Sequence, residues 1–197
     1  MSKILILKAS PRKEGNTNSI VKAFWQELDE LGKNYETVDL YEEDMKPCIA
    51  CRKCQESMDS PACVQGNEEL FDKVLEAELI VLATPVYSWY CTPPAKAFLD
   101  RCVYAMNKYY GTETLEPAGI GKGPALWEGK SMALITTYGY PANIGPDLLE
   151  EGIKRYCRHS KLKYAGMLAE RHEGYNVEFL TEDKINRAKG FAKSIAL

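Results

Sequence analysis

Two short apolar runs constrain the fold of this chain more than any other feature. Ile4-Leu5-Ile6-Leu7 runs into Ala9-Ser10-Pro11, and Leu79-Ile80-Val81-Leu82-Ala83 ends in Thr84-Pro85. Unbroken branched runs of this length, closed by turn residues, fit strands covered on both faces, as in a parallel sheet. Met132 to Ile135 and Tyr164 to Leu168 are weaker runs of the same type. Thr37 to Leu40 alternates polar and apolar residues, which suits an edge strand.

Helical patterns separate the runs. Ile20, Phe24, Leu28 and Leu31 share one helical face, and Gly32 is a C-terminal stop. Leu70, Phe71, Val74 and Leu75 form a second face, with Asn67 as its N-cap. Pro93 and Pro94 open a third helix behind Thr92. Leu149, Ile153 and Tyr156 mark a fourth, and Ile185, Ala188, Ala192 and Ile195 a fifth, capped by Thr181. Strict alternation of strand and helix predicts an α/β doubly wound parallel sheet. With the second strand at the edge, the expected order is 2-1-3-4-5, a flavodoxin-like three-layer sandwich of five parallel strands with helices on both faces. The 197 residues suit a single domain spanning 1–197. Two long connections stand out, a Cys-containing loop over 41–66 and a Gly- and Pro-rich loop over 107–128.

The net charge is −3, with lysines and arginines scattered among acids, so no basic stripe points to nucleic acid. No apolar run approaches the roughly 18 residues of a membrane span. No signal peptide is visible at the start, and a cytoplasmic location is expected. An odd count of seven cysteines does not suit a disulfide framework.

In an open parallel sheet, ligands sit beyond the carboxyl ends of the strands where the strand order reverses. Three loops are expected there. The first, Ser10 to Ser19, carries Ser10, Arg12, Asn16, Thr17 and Asn18 into the start of a helix. Helix N-termini favour phosphate, and a hydroxyl-rich loop with one glycine suits a terminal monophosphate better than a pyrophosphate. An ordinary capped helix start is the plainer alternative. The second loop, Thr84-Pro85-Val86-Tyr87-Ser88-Trp89-Tyr90, offers aromatics to a planar heterocycle, or else to its own core or a subunit interface. The third, Thr136-Thr137-Tyr138-Gly139-Tyr140-Pro141, lies beside it in the expected strand order.

Ser10-Pro11-Arg12, Gly15-Asn16-Thr17-Asn18, Thr84-Pro85-Val86-Tyr87 and Ala97-Phe98-Leu99-Asp100-Arg101 together resemble the NAD(P)H-dependent FMN reductase family, also called multimeric flavodoxins. The resemblance runs over nearly the whole chain. It implies that Ser10, Arg12, Asn16, Thr17 and Asn18 take the FMN phosphate. It places Pro85, Val86, Tyr87 and Ser88 against one side of the flavin ring, and Thr137, Tyr138 and Gly139 against the other. It further implies a homodimer or homotetramer. The expected activity moves electrons from NAD(P)H or another donor, through bound FMN, to a quinone, a flavin or a redox protein in ping-pong turnover. Flavin chemistry requires no catalytic acid–base pair from the protein, and none is assigned. His159 and His172, the only histidines, are read as a helix-end cation and a loop residue.

Cys48, Cys51, Cys54 and Cys63 form C-x2-C-x2-C followed by a cysteine after eight residues. Compact thiolates of this kind suit a [4Fe-4S] cluster. The motif resembles the iron-sulfur flavoprotein branch of the same family, whose final spacer is usually shorter. Free thiols, a zinc site and a disulfide are the other readings, although zinc favours two separated C-x2-C pairs. Three alternatives to the enzyme follow: an electron carrier without turnover, an iron-sulfur flavoprotein served by ferredoxin, and a redox- or metal-sensing binding protein. Cys102 and Cys157 fall on apolar helix faces and are expected in the core. Cys91, in the flavin-side loop, is expected nearer the surface.

Overall fold

A computed structural model describes residues 3–108, 123–174 and 176–196. The strands are β1 Lys3–Lys8, β2 Asn34–Asp39, β3 Leu79–Pro85, β4 Ser131–Tyr138 and β5 Lys163–Arg171. The helices are α1 Asn16–Glu30, α2 Glu68–Glu76, α3 Pro93–Met106, α4 Asp147–His159 and α5 Glu182–Ile195. All five strands are parallel, in the order β2-β1-β3-β4-β5. This is the order expected from the alternation of runs.

Side chains of a strand point alternately to its two faces, and the unbroken apolar runs therefore feed two cores. Leu5, Leu7, Ile80, Leu82 and Leu134 pack with Phe71 of α2, Phe98 of α3 and Ile153 of α4. Ile4, Ile6, Val81 and Ile135 pack with Phe24 and Leu28 of α1 and Ala188 and Ala192 of α5. Each fully buried Leu or Ile contributes about 1.5–3 kcal/mol, so the two faces share the stabilisation. In β2 only Val38 is buried, as befits an edge strand.

Local signals are used in different ways. Gly32 follows the C-cap of α1 at φ +62, a left-handed position that favours glycine. Thr181 caps α5 by accepting from the Lys184 backbone N–H. Thr92 and Asn67 occupy N-cap positions, yet their side chains do not cap. The Thr92 hydroxyl donates to the Ala9 carbonyl at 2.8 Å, and the Asn67 side-chain oxygen Oδ1 accepts from Arg101. Both have been drawn into tertiary bonds.

The ends of the 107–128 loop are pinned together. Asn107 and Ala125 form an antiparallel bridge, Lys108 N–H donates to the Pro124 carbonyl at 2.9 Å, and the buried Trp127 indole donates to the Asn107 side chain at 2.9 Å. Its body, residues 109–122, lies outside the described residues. Among the described residues no helix is long and apolar enough to cross a membrane.

Candidate cofactor cleft and cysteine pocket

The loops at the carboxyl ends of β1, β3 and β4 meet where the strand order reverses. After β1, the Gly15 N–H donates to the Arg12 carbonyl at 3.0 Å. A Cβ on Gly15 would lie 2.8 Å from the Arg12 Cβ and 3.1 Å from its carbonyl oxygen, so this tight turn has no room for a side chain. The Asn18 amide donates to the carbonyls of Arg12 and Lys13 at 2.9 and 3.2 Å. The loop is therefore folded back onto the first turn of α1, whose N–H groups have no intrahelical acceptor and carry partial positive charge. Thr17 and Thr137 share a buried hydroxyl–hydroxyl hydrogen bond of 2.7 Å, which ties α1 to the end of β4.

The loops after β3 and β4 are joined as well. The Val86 N–H donates to the Thr137 carbonyl at 2.8 Å. Tyr87 and Tyr90 exchange backbone hydrogen bonds of 2.8 and 2.9 Å around Ser88 at φ 48 and Trp89 at φ 62. Two positive φ values make this a type I′ turn, a geometry that favours Asn-Gly. Holding side-chain-bearing residues there costs roughly 1–2 kcal/mol each. Trp89 stacks on Tyr140 with centroids 4.8 Å apart and planes at 20°, which offsets part of that strain. Gly145 makes room for Tyr138, because a Cβ there would come within 2.5 Å of the Tyr138 ring.

Between these loops lies a cleft of about 440 Å³. Ser10, Arg12, Asn16 and Thr17 form one wall, Pro85, Val86 and Tyr87 a second, and Thr137, Tyr138 and Gly139 a third. Asn18 and Ser88, also expected at the cofactor, do not line it: the Asn18 amide is spent shaping the loop, and Ser88 sits at the exposed tip of the turn. His172 lines the cleft although its sequence context gave it no role. It follows β5, and its backbone N–H donates to the Tyr138 carbonyl at 2.7 Å. Its position in the loop after a parallel strand was the available signal. A groove of similar size, about 460 Å³, lies at the amino ends of the strands beside Glu78, Ser131 and Lys163, away from these loops.

Cys48, Cys51, Cys54 and Cys63 all line one small pocket together with Arg101 and Tyr104 of α3. Cys54 is buried, Cys48 and Cys63 are half-buried, and Cys51 is exposed. Left-handed backbone at Ala50, Arg52, Ala62 and Asn67 turns the loop so that all four cysteines border the same pocket. Burial pushes the Cys54 thiol up, and the Lys108 ammonium opposes that shift. Lys108, itself buried, donates to the carbonyls of Cys54 and Ser60 at 2.7 and 2.8 Å, and burial pushes its pKa down. Among the described residues, no three Cys, His, Asp or Glu side chains converge as ligands of a single metal ion. In a [4Fe-4S] cluster each thiolate binds a different iron. The pocket has a volume of about 20 Å³, and its Ile49–Cys51 wall is exposed. Cys91, expected near the surface, is buried.

A family model described as a flavodoxin-like fold matches residues 2–186. The chain belongs to that family. An iron-sulfur flavoprotein of Methanocaldococcus jannaschii is 32% identical to this flavodoxin-like chain over 99 residues, covering 50% of the chain and 51% of that protein. The chain thus spans about half the length of that relative. An FMN-dependent NADH:quinone oxidoreductase of Bacillus velezensis is 29% identical over 217 residues, covering 98% of the chain and 100% of the relative. The solved NAD(P)H:quinone oxidoreductase of Methanothermobacter marburgensis superposes with a TM-score of 0.69 at 16% identity, covering 98% of this chain and 96% of that one, which shows the shared fold.

Proposed function

We propose that the three-loop cleft binds FMN and that the protein is an oxidoreductase. It moves electrons from NAD(P)H or another donor to a quinone, a flavin or a redox-protein acceptor. The observation that carries this reading is the convergence of ten expected cofactor residues on one cleft at the strand-order reversal. Residue chemistry fits the cofactor. The first turn of α1, closed over by a loop that excludes a Cβ at Gly15, offers N–H groups and the Thr17 and Ser10 hydroxyls to a phosphate. Arg12, exposed on the rim, adds a charge-assisted contact. Pro85, Val86 and Tyr87 offer an apolar wall to a planar ring, and Gly139 leaves backbone open on the opposite side. FMN supplies hydride and single-electron chemistry when bound; the protein orients it and tunes it. The name of the Bacillus velezensis relative, which aligns along the whole chain, agrees with this reading.

The four-cysteine pocket favours one second reading, an iron-sulfur electron carrier that works with ferredoxin without nicotinamide-dependent turnover. The protein is proposed to be a single cytoplasmic domain acting as a homodimer or homotetramer. The exposed Tyr87 and Trp89 at the cleft rim supply apolar surface for such contacts. An absorption spectrum of freshly purified protein, FMN titration of stripped protein, and NADH and NADPH oxidation with a quinone test the assignment. Flavin bands with quinone-dependent nicotinamide oxidation are expected. Failure to bind FMN sinks the main reading; FMN with iron absorbance, fast reduction by ferredoxin and no nicotinamide turnover selects the second.

A further inference from the structure

Arg101 is an unusual charge to find in this core. It is 1% exposed, and among the described residues it forms no ion pair with a carboxylate. Its guanidinium donates to the Asn67 side chain, to the Gly66 carbonyl at 2.5 Å, to the Met45 sulfur at 3.4 Å and to the Cys63 sulfur at 3.2 Å, and it lies over the Phe71 ring. Its Nε–H is buried without a partner. A guanidinium keeps its charge in proteins, and a buried charge is tolerated only when something compensates it. The Cys63 thiol faces Arg101 directly, Cys48, Cys51 and Cys54 line the same pocket, and a second buried cation, Lys108, is bonded to the Cys54 carbonyl. Thiols become the missing anions when they ligate iron as thiolates.

We propose that Arg101 is a positioning residue for an anionic iron-sulfur centre at Cys48, Cys51, Cys54 and Cys63, holding Cys63 by an N–H···S hydrogen bond and supplying the centre's counter-charge. This inference rests on the reading of those cysteines as a ligand set. The donor set fits, being all soft thiol sulfur. Hydrogen bonds to ligand sulfurs and local charge set the potential of such centres. A one-electron reduction that takes up no proton leaves an added negative charge at the site, and the fixed guanidinium favours the reduced form. α3 links this residue to the proposed flavin cleft, because the Thr92 hydroxyl at its N-terminal end bonds the carbonyl of Ala9, the residue before the first cofactor loop.

The test is anaerobic reconstitution of the full chain with ferrous iron and sulfide. Wild type, Arg101→Gln and Arg101→Lys are compared. Iron and labile sulfide per chain, and a dithionite titration of the loaded centre followed by EPR, are read alongside the thermal midpoint before loading. Wild type is expected to load. Arg101→Gln should retain less than a third of the wild-type iron. Arg101→Lys, which keeps charge but loses the fork, should load while shifting the one-electron couple toward the oxidised form by at least tenfold, or 59 mV. If wild type loads and the folded variants match it in iron and potential, the role of Arg101 is overturned while the ligand set stands. If Arg101→Gln does not fold, the potential of Arg101→Lys decides. A lower thermal midpoint with an unchanged potential marks a structural arginine only and overturns the proposal. Wild type that takes up neither iron nor sulfide overturns the reading of the cysteines themselves.

Discussion

The 2.7 Å bond between the Thr17 and Thr137 hydroxyls joins two cleft walls with one buried contact. Replacing either by valine strands the other hydroxyl away from water, a loss of about 1–3 kcal/mol, whereas replacing both removes the orphan. Thr17→Val and Thr137→Val should each lower the thermal midpoint, and the double variant should lose less than the sum. Additive losses in a double-mutant cycle would show that the bond does not couple the walls. Thiols provide a second residue-level prediction. Burial pushes the thiols of Cys91 and Cys157 up to about 12. Iodoacetamide at pH 8 should therefore label the exposed Cys51 first and leave Cys91 and Cys157 unmodified in native protein. The same shifts bear on alkaline stability. Between the ordinary thiol value of 9 and about 12, the unfolded chain releases these protons while the folded chain holds them, so stability falls as pH rises. Each thiol contributes a slope of about 1.4 kcal/mol per pH unit. Denaturant titrations of Cys157→Ala from pH 8 to 11 should show a shallower decline than wild type; an equal decline would refute the shift.

At the scale of elements, the loop between β1 and α1 depends on a missing methyl group. Gly15→Ala places a Cβ against the Arg12 Cβ and carbonyl, neither of which is the far end of a flexible chain. The loop must open, and FMN affinity should fall at least tenfold with little change in far-UV circular dichroism. Unchanged affinity in a fluorescence titration would remove this loop from the phosphate site. The elements also show what their sequences made legible. β1 and β3 were readable because burial on both faces demands unbroken apolar residues. β5 runs from Lys163 to Arg171, longer than its apolar centre, because an edge strand extends on backbone pairing alone. The caps at Asn67 and Thr92 misled because a side chain that suits a cap also suits a tertiary partner, and here the partner was 34 residues away for Asn67 and 83 for Thr92. Asn18 and Ser88 were grouped with the cofactor by their loops, yet one amide folds back and one turn tip faces outward. The burial of Arg101 beside Cys63 depends on how α3 lies against the cysteine loop, which no local pattern encodes.

For the whole molecule, the order of strands does most of the functional placement: β1 next to β3 brings two sequence-distant loops together, and β4 supplies the third. The comparisons agree with that architecture from residue 2 to residue 186. The connection between α3 and β4 is closed at its base. Its two ends are already hydrogen-bonded to one another at Lys108 and Pro124, and Trp127 fastens them beneath through Asn107. The described residues on the two sides of this segment therefore form a closed neck. In modular terms the neck is a port, where chain can be removed or grafted without altering the register of any strand. Replacing residues 109–122 with a four-residue Gly-containing turn should leave the thermal midpoint within a few degrees of wild type, since shortening a closed loop lowers its entropic penalty by about 1 kcal/mol. A collapse of the midpoint would show that the neck does not isolate the segment from the core.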